Sequence, residues 1–392
     1  MAKIKSAQGG SVKKPVIPIF YTADENYAPF LSVSIISLLK NANPDYAYEI
    51  FVVYDKMSLK TITKLKTMRV LREKDAKLHL KPMREVLDFM TERPNTRLNA
   101  SMFTLTIYYR IFIAQMFPQF DKGIYLDSDT VVTGDISELY NVNLGKKYLL
   151  GAVNDFSIKK NKEFMSYIEK VVGIPRDEYF NSGVLLLNLA EMRHLKFDEH
   201  FLYLMVRYDF DTVAPDQDYL NAMCYKRVKL LDSKWDAMPA KDVPPMENPG
   251  IVHYNLYFKP WHYDNIDYDA YFWRYAGESP LLKEINTIKA MPHSYDDDMK
   301  YLGEMVAHAV RAHKEKTTFK KVFESGDEVR AGRPVKEEYA IVETSWGWRT
   351  VVRTTLKISA LPITLPLMTI KKGAEILKDA SAKIGSKKDE KW

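Results

Sequence analysis

Gly123-Ile124-Tyr125-Leu126-Asp127-Ser128-Asp129-Thr130-Val131-Val132 sets two carboxylates one residue apart between two apolar runs. Side chains alternate across a strand, so positions i and i+2 share a face. With strand geometry held through Ser128, Asp127 and Asp129 would present two carboxylates to one point. Such a pair suits a hard divalent cation, Mg²⁺ or Mn²⁺, of the kind that bridges carboxylates to phosphates. The competing reading is a plain Asp-Ser-Asp turn after a strand, since Asp and Ser both favour turns. The surrounding chain decides between them.

Upstream, residues 16–21 read as a first buried strand, and residues 27–39 have helical apolar spacing. Residues 50–54 form a second strand, Ser58 caps a helix reaching about residue 72, and residues 78–80 form a short strand. Residues 101–116 read as a helix carrying Arg110. Strands alternating with helices predict a mostly parallel α/β sheet. Ligands of such sheets bind outside the carboxyl ends of the strands. Asp24-Glu25-Asn26 and Asp127-Ser128-Asp129 both fall just past strand ends, so they share one crevice. Downstream, residues 149–153, 184–188, 228–231 and 251–254 read as strands, residues 159–172 as a helix or lid, and residues 191–208 as a helix. Ala214-Pro215-Asp216-Gln217-Asp218 opens another helix with Asp216 as its cap.

The 392 residues are 46% hydrophobic and 28% charged, which fits a globular protein of one large or two ordinary domains. Cys224 is the single cysteine, which excludes an intrachain disulfide and a cysteine-based zinc site and favours a reducing compartment. Residues 1–14 are polar and basic without an apolar core, unlike a secretory signal. No run reaches the ~18 apolar residues of a membrane span. A cytoplasmic location is therefore expected. The net charge of +6 is modest, and no basic run with interleaved aromatics marks the α/β region, so nucleic acid is not an expected partner. The expected division is a flexible tail over 1–15, a catalytic domain over 16–275 and a helical, basic extension over 276–392. From residue 357 onward lysines outnumber acids beside exposed apolar side chains. That stretch reads either as a peripheral lipid contact at the inner membrane face or as a segment packed on its own domain.

Taken in order, Phe20-Tyr21-Thr22-Ala23-Asp24-Glu25-Asn26-Tyr27, Tyr108-Tyr109-Arg110, Tyr125-Leu126-Asp127-Ser128-Asp129, Phe180-Asn181-Ser182-Gly183-Val184, Asp216-Gln217-Asp218 and His253-Tyr254 with Lys259-Pro260-Trp261 resemble glycosyltransferase family 8. These are retaining enzymes of the GT-A fold, among them bacterial lipopolysaccharide galactosyl- and glucosyltransferases and glycogenin. The resemblance implies a UDP-hexose donor, galactose or glucose, and a metal ion, Mn²⁺ or Mg²⁺, on Asp127, Asp129 and His253. Imidazole beside two carboxylates tilts the choice toward Mn²⁺. The acceptor implied is a cell-surface glycan or a lipid-linked oligosaccharide.

The resemblance further implies that Asp24 and Asn26 read uracil and ribose, and that Tyr27 lies against the base. Ala23 and Ser128 approach the nucleotide through backbone atoms, and Lys259 pairs with the diphosphate. Arg110 sits near the donor sugar and phosphate, with a structural salt bridge to a site carboxylate as its rival role. Asn181, Asp216 and Gln217 surround the transferred sugar, and Asp155 contacts donor or acceptor. Gln217 is the side chain nearest the far face of the sugar and a poor nucleophile, which favours front-face transfer over double displacement. One position departs from the family pattern. Leu256 stands where a glycine is usual, three residues after the histidine, so the loop to Lys259 is expected to take a different path. Alternative functions are a self-glucosylating, glycogenin-like enzyme and a non-catalytic nucleotide-sugar-binding protein.

Overall fold

The computed structural model describes residues 14–82, 108–158, 161–240, 244–326, 328–332, 339–343 and 349–353. The expected N-terminal tail, apart from its last two residues, and the basic segment from 357 lie outside the described residues, as do residues 101–107 of one expected helix.

Strands β1 (Val16–Ala23), β2 (Ala47–Tyr54), β3 (Ala76–Pro82) and β4 (Gly123–Leu126) pair in parallel in the order β3-β2-β1-β4. Beyond β4 the same seven-stranded sheet continues through β7 (Phe180–Leu187), β6 (Leu150–Asn154) and β8 (Val228–Leu230). Only β7 runs antiparallel to its neighbours. The near-continuous apolar runs noted in the sequence arise because both sheet faces are covered. In β1, Phe20 enters one core while Ile19 and Tyr21 enter the other. In β4, Tyr125 likewise opposes Ile124 and Leu126.

The chain runs outward from β1 to β3 and then returns to β4 on the other side of β1. The strand order therefore reverses between β1 and β4, and a crevice opens at their carboxyl ends. Asp24 follows β1 and Asp127 follows β4, so both motifs meet there. Because β7 is antiparallel to β4, with Val184 opposite Leu126, its first residues lie beside the end of β4. That delivers Asn181, Ser182 and Gly183 to the crevice.

The strand expected to pass through Asp127-Ser128-Asp129 is instead interrupted. β4 ends at Leu126, a turn occupies 127–129, and β5 (Thr130–Val132) pairs antiparallel with β9 (Ile251–His253) in a separate small sheet. Helix α1 (Ala28–Lys40) fixes this turn through its buried serines. Ser34 bonds both Tyr21 and Thr130, at 3.0 and 2.9 Å, and the Ser37 hydroxyl accepts from the Val132 N–H at 2.9 Å.

The helix after Ser58 is capped by that residue but divides into α2 (Leu59–Lys66) and α3 (Arg69–Glu73). The remaining helices follow in order: α4 (Tyr109–Met116), α5 (Ile136–Tyr140), α6 (Lys162–Tyr167), α7 (Leu189–His194), α8 (Phe197–Arg207) and α9 (Pro215–Met223). The break between α7 and α8 falls at Lys196, whose φ is +51°. Further on lie α10 (Asp269–Ala276), α11 (Leu282–Lys289), α12 (Tyr295–Ala312) and α13 (Phe319–Ser325). Ala309 and Ala312 of α12 and Phe319 and Val322 of α13 are buried in the same core as Tyr125 and Leu185. Residues 339–343 and 349–353 pair as a two-stranded ribbon.

Candidate active site

A cleft of about 450 Å³ lies at the reversal of strand order, and every candidate site residue named from the sequence lines it. The two aspartates converge despite the turn. Ligand atoms of Asp127, Asp129 and His253 all lie within 4.8 Å of one another. Pairing of β5 with β9 sets His253 opposite Thr130, and the Tyr254 N–H donates to the Asp129 carbonyl at 3.0 Å.

Gly183 forms the floor. A Cβ there would stand 2.2 Å from His253 Cε1 and 2.8 Å from Asp127 Oδ2, so glycine alone lets β7 pass this close. Behind His253, Nδ1 is 3.0 Å from Asp236 Oδ1, and Asp236 is fully buried. That contact orients the ring so that Nε2 faces Asp129 at 3.4 Å and Asp127 at 3.8 Å. A carboxylate on the far nitrogen is the usual support for a metal-ligating histidine. Burial disfavours the imidazolium, but Asp236 and Asp129 outweigh it and raise His253 to about 10. Burial pushes the Asp129 carboxyl up, yet Lys259 and His253 together hold it well below the usual range. Two carboxylates, one oriented imidazole and a floor without a side chain form a donor set that fits Mn²⁺ or Mg²⁺.

Lys259 lies on Asp129, with Nζ 2.5 Å from both Asp129 Oδ2 and the Tyr254 carbonyl. Leu256 has a φ of +57°, in the left-handed region that glycine occupies most readily, and the loop beyond it brings Lys259 onto Asp129.

Arg110 is buried among acids, and the salt-bridge role weighed for it is present. It donates to Asp127 Oδ1 at 2.8 Å, to the Ser182 carbonyl at 2.7 Å, and through Nε to Asp216 Oδ2 at 3.0 Å. Its guanidinium stacks 4.4 Å from the Tyr125 ring centre, and the Tyr125 hydroxyl donates to Asp127 at 2.6 Å. Asp216 is not the cap of α9. Ala214 holds that position, and Asp216 turns inward to accept from Ser182 and Arg110.

At the far end, Gln217 donates to Asp155 Oδ2 at 2.9 Å and accepts from the Ser182 N–H at 2.9 Å. Asn181 donates to the same Asp155 oxygen at 3.2 Å. At the near end, Asp24 accepts from the Tyr27 N–H at 2.9 Å, and Ser128 donates to the Thr22 carbonyl at 2.7 Å. The Ala23 and Ser128 backbones are thereby held at the crevice rim. Tyr27 precedes α1 and packs edge-on to Phe30.

The sequence reading missed Asp236, which lies outside every quoted motif. It quoted Tyr125, Ser182 and Gly183 without seeing that they brace Asp127, Arg110 and His253.

An α/β sheet with this strand order and a polar, acidic crevice at its reversal defines a GT-A-fold glycosyltransferase. The model of glycosyl transferase family 8 matches residues 18–265, and the chain belongs to that family. A glycosyltransferase of Haemophilus influenzae is 26% identical over 287 residues, covering 71% of this chain and 82% of its own. The lipopolysaccharide 1,2-glucosyltransferase of Escherichia coli K12 is 29% identical over 265 residues, covering 62% and 72% respectively. Among solved structures, the galactosyltransferase LgtC with donor and acceptor sugar analogs shares the fold, with a TM-score of 0.56 at 24% identity. That match covers 72% of this chain and 100% of LgtC.

Proposed function

We propose that this chain transfers galactose or glucose, with retention, from a UDP-hexose to a cell-surface glycan or lipid-linked acceptor. The observation that carries the reading is the convergence of Asp127, Asp129 and His253 beside two buried cations, Arg110 and Lys259. Asp127, Asp129 and His253 would hold Mn²⁺ or Mg²⁺, which when bound supplies Lewis-acid neutralisation of a departing diphosphate.

Asp24, Asn26 and Tyr27 bind the uridine, and the Ala23 and Ser128 backbones border it. Lys259 exchanges Asp129 for the diphosphate, as a point charge. Arg110 keeps Asp127 and Asp216 in place by holding both carboxylates. Neither carboxylate near the sugar is free to act as a nucleophile. Asp216 is committed to Arg110 and Ser182, and Asp155 to Ser157, Asn181 and Gln217. This supports front-face attack in which the leaving diphosphate takes the acceptor proton, with Gln217 positioning the sugar. No helix among the described residues is long and apolar enough to cross a membrane. The proposed place of a peripheral lipid contact is the basic segment from 357, on its composition alone.

Donor hydrolysis tests the proposal without an acceptor. The protein is offered Mn²⁺ and a panel of UDP-, GDP- and CMP-sugars, and nucleotide release is followed. Release from a UDP-hexose that stops with chelator is expected. Absence of UDP binding overturns the reading.

A further inference from the structure

Part of the wall of the cleft comes from a stretch of the chain that the family model does not reach. His293, Asp298, Tyr301 and Met305 line it, all beyond residue 265, together with Tyr257 and His262 of the preceding loop. Asp298, Tyr301 and Met305 recur at helical spacing on one face of α12, continued by the buried Ala309 and Ala312. That face is fixed to the body of the protein. His308 pairs with Asp211 at 2.7 Å, His313 with Ser166 at 3.1 Å, and the Tyr257 hydroxyl meets Met305 Sδ at 3.4 Å.

Its chemistry differs from that of the donor side. His262 and His293 stack with ring centres 3.9 Å apart and planes 14° from parallel. Asp298 holds His293 at 2.9 Å and also accepts from the Tyr263 hydroxyl. His262 Nδ1 is buried without a hydrogen-bond partner, and the Tyr301 hydroxyl makes no hydrogen bond among the described residues. Burial, with His293 and Lys259 nearby, lowers His262 to about 4, so that ring is neutral at physiological pH. Among the described residues, the basic groups at the donor end of the cleft, Arg110, Lys259 and His253, are each engaged by aspartates. Among the described residues the wall thus offers flat rings, a thioether, a carboxylate and uncommitted hydrogen-bonding atoms, and no lysine or arginine to meet an anion. Amphipathic rings with polar edges suit a pyranose, whose C–H face packs while its hydroxyls bond.

Resting on the proposed transferase activity, we infer that His262, His293 and Tyr301 form the acceptor subsite, and that this subsite takes an uncharged pyranose. Acceptor choice then depends on Tyr301 of α12 and on His293 just before it, both beyond the residues that the family model matches, together with His262 inside them.

The test uses the full chain with Mn²⁺ and UDP. Saturation-transfer NMR titrates methyl glycosides of glucose, galactose and N-acetylglucosamine, with glucose 6-phosphate as the anionic arm. UDP affinity is measured separately by calorimetry. A neutral glycoside is expected to bind, and His293→Ala and Tyr301→Phe are each expected to weaken it about tenfold with UDP affinity unchanged. Tyr301→Phe removes a single hydroxyl and so guards against misfolding. Equal glycoside binding in the variants, preference for glucose 6-phosphate, or no glycoside bound by the UDP-loaded protein would each overturn the inference. Loss of the donor reading shows separately, as wild-type protein that does not bind UDP.

Discussion

Gly183→Ala places one methyl group into the floor beneath Asp127 and His253. Its Cβ would sit 2.2 Å from His253 Cε1, about 1.2 Å inside the 3.4 Å at which ordinary contact begins. The imidazole cannot simply retreat, because Asp236 stands 3.0 Å behind its Nδ1. Nor can β7 slide away, since the Gly183 carbonyl accepts from the Asp127 N–H and the Gly183 N–H donates to Asn181 Oδ1 at 2.8 Å. Overpacking of this kind costs about 1–3 kcal/mol of stability. Displaced ligands should weaken metal-dependent UDP binding by about 10–100-fold, the range seen when support for a ligand is lost. Urea unfolding reads the first effect, and calorimetry of UDP with and without Mn²⁺ reads the second. Gly303→Ala is the matched control, because nothing lies within 4 Å of its added Cβ and it stands in the exposed middle of α12. That control should stabilise by up to about 1 kcal/mol and leave UDP binding untouched. A Gly183→Ala protein of wild-type stability that binds Mn²⁺ and UDP normally would refute the geometry assigned to the site.

Asp236→Asn keeps shape but removes the charge behind His253. It should lower Mn²⁺ affinity by about 10–100-fold while leaving metal-free UDP binding unchanged, and an unaltered Mn²⁺ titration would count against the orienting role. Because His253 is raised to about 10 without metal, ligation must expel its proton. Mn²⁺ affinity should therefore rise about tenfold per pH unit between about pH 6 and 8, with a proton released into the calorimeter's buffer; a flat profile contradicts this. Asp218 accepts from the hydroxyls of Tyr167 and Tyr179 and from the N–H groups of Val213 and Ala214. Asp218→Asn turns an amide NH₂ toward those donors and should cost about 1–3 kcal/mol in urea unfolding; an unshifted midpoint would show that the network tolerates it.

Much of the core was legible because short apolar runs and strand-to-helix order are local signals. A crevice past the strands' carboxyl ends followed from them, and with it the meeting of Asp24 and Asp127. The turn at 127–129 was hidden, because an Asp-Ser-Asp between apolar runs serves a strand and a turn equally well. Pairing of β5 with β9 across more than a hundred residues settles that question, and no local pattern announces it. Asp236 was illegible for the same reason. A lone buried acid declares its role only when the fold sets it against His253. Of the two roles read for Asp216, a helix cap and a contact to the sugar, the cap is not made. Arg110, buried beside it, draws that carboxylate inward instead.

The charges of the site explain how it stands without a ligand and what a ligand must change. Arg110, His253 and Lys259 interlock with Asp127, Asp129, Asp216 and Asp236 in a buried network. Each ion has a counter-ion, since an unpaired buried charge would be far more costly. Burial, with other acids nearby, raises Asp216 and Asp236 even so. A divalent cation held by Asp129 would compete with Lys259 for that carboxylate. Lys259 would then be free to meet a diphosphate, so under the proposed reading metal and nucleotide should bind with positive coupling and neither should bind tightly alone. The strain at Leu256, ~1–2 kcal/mol for a residue in the left-handed region, is tolerable because that turn brings Lys259 back onto Asp129.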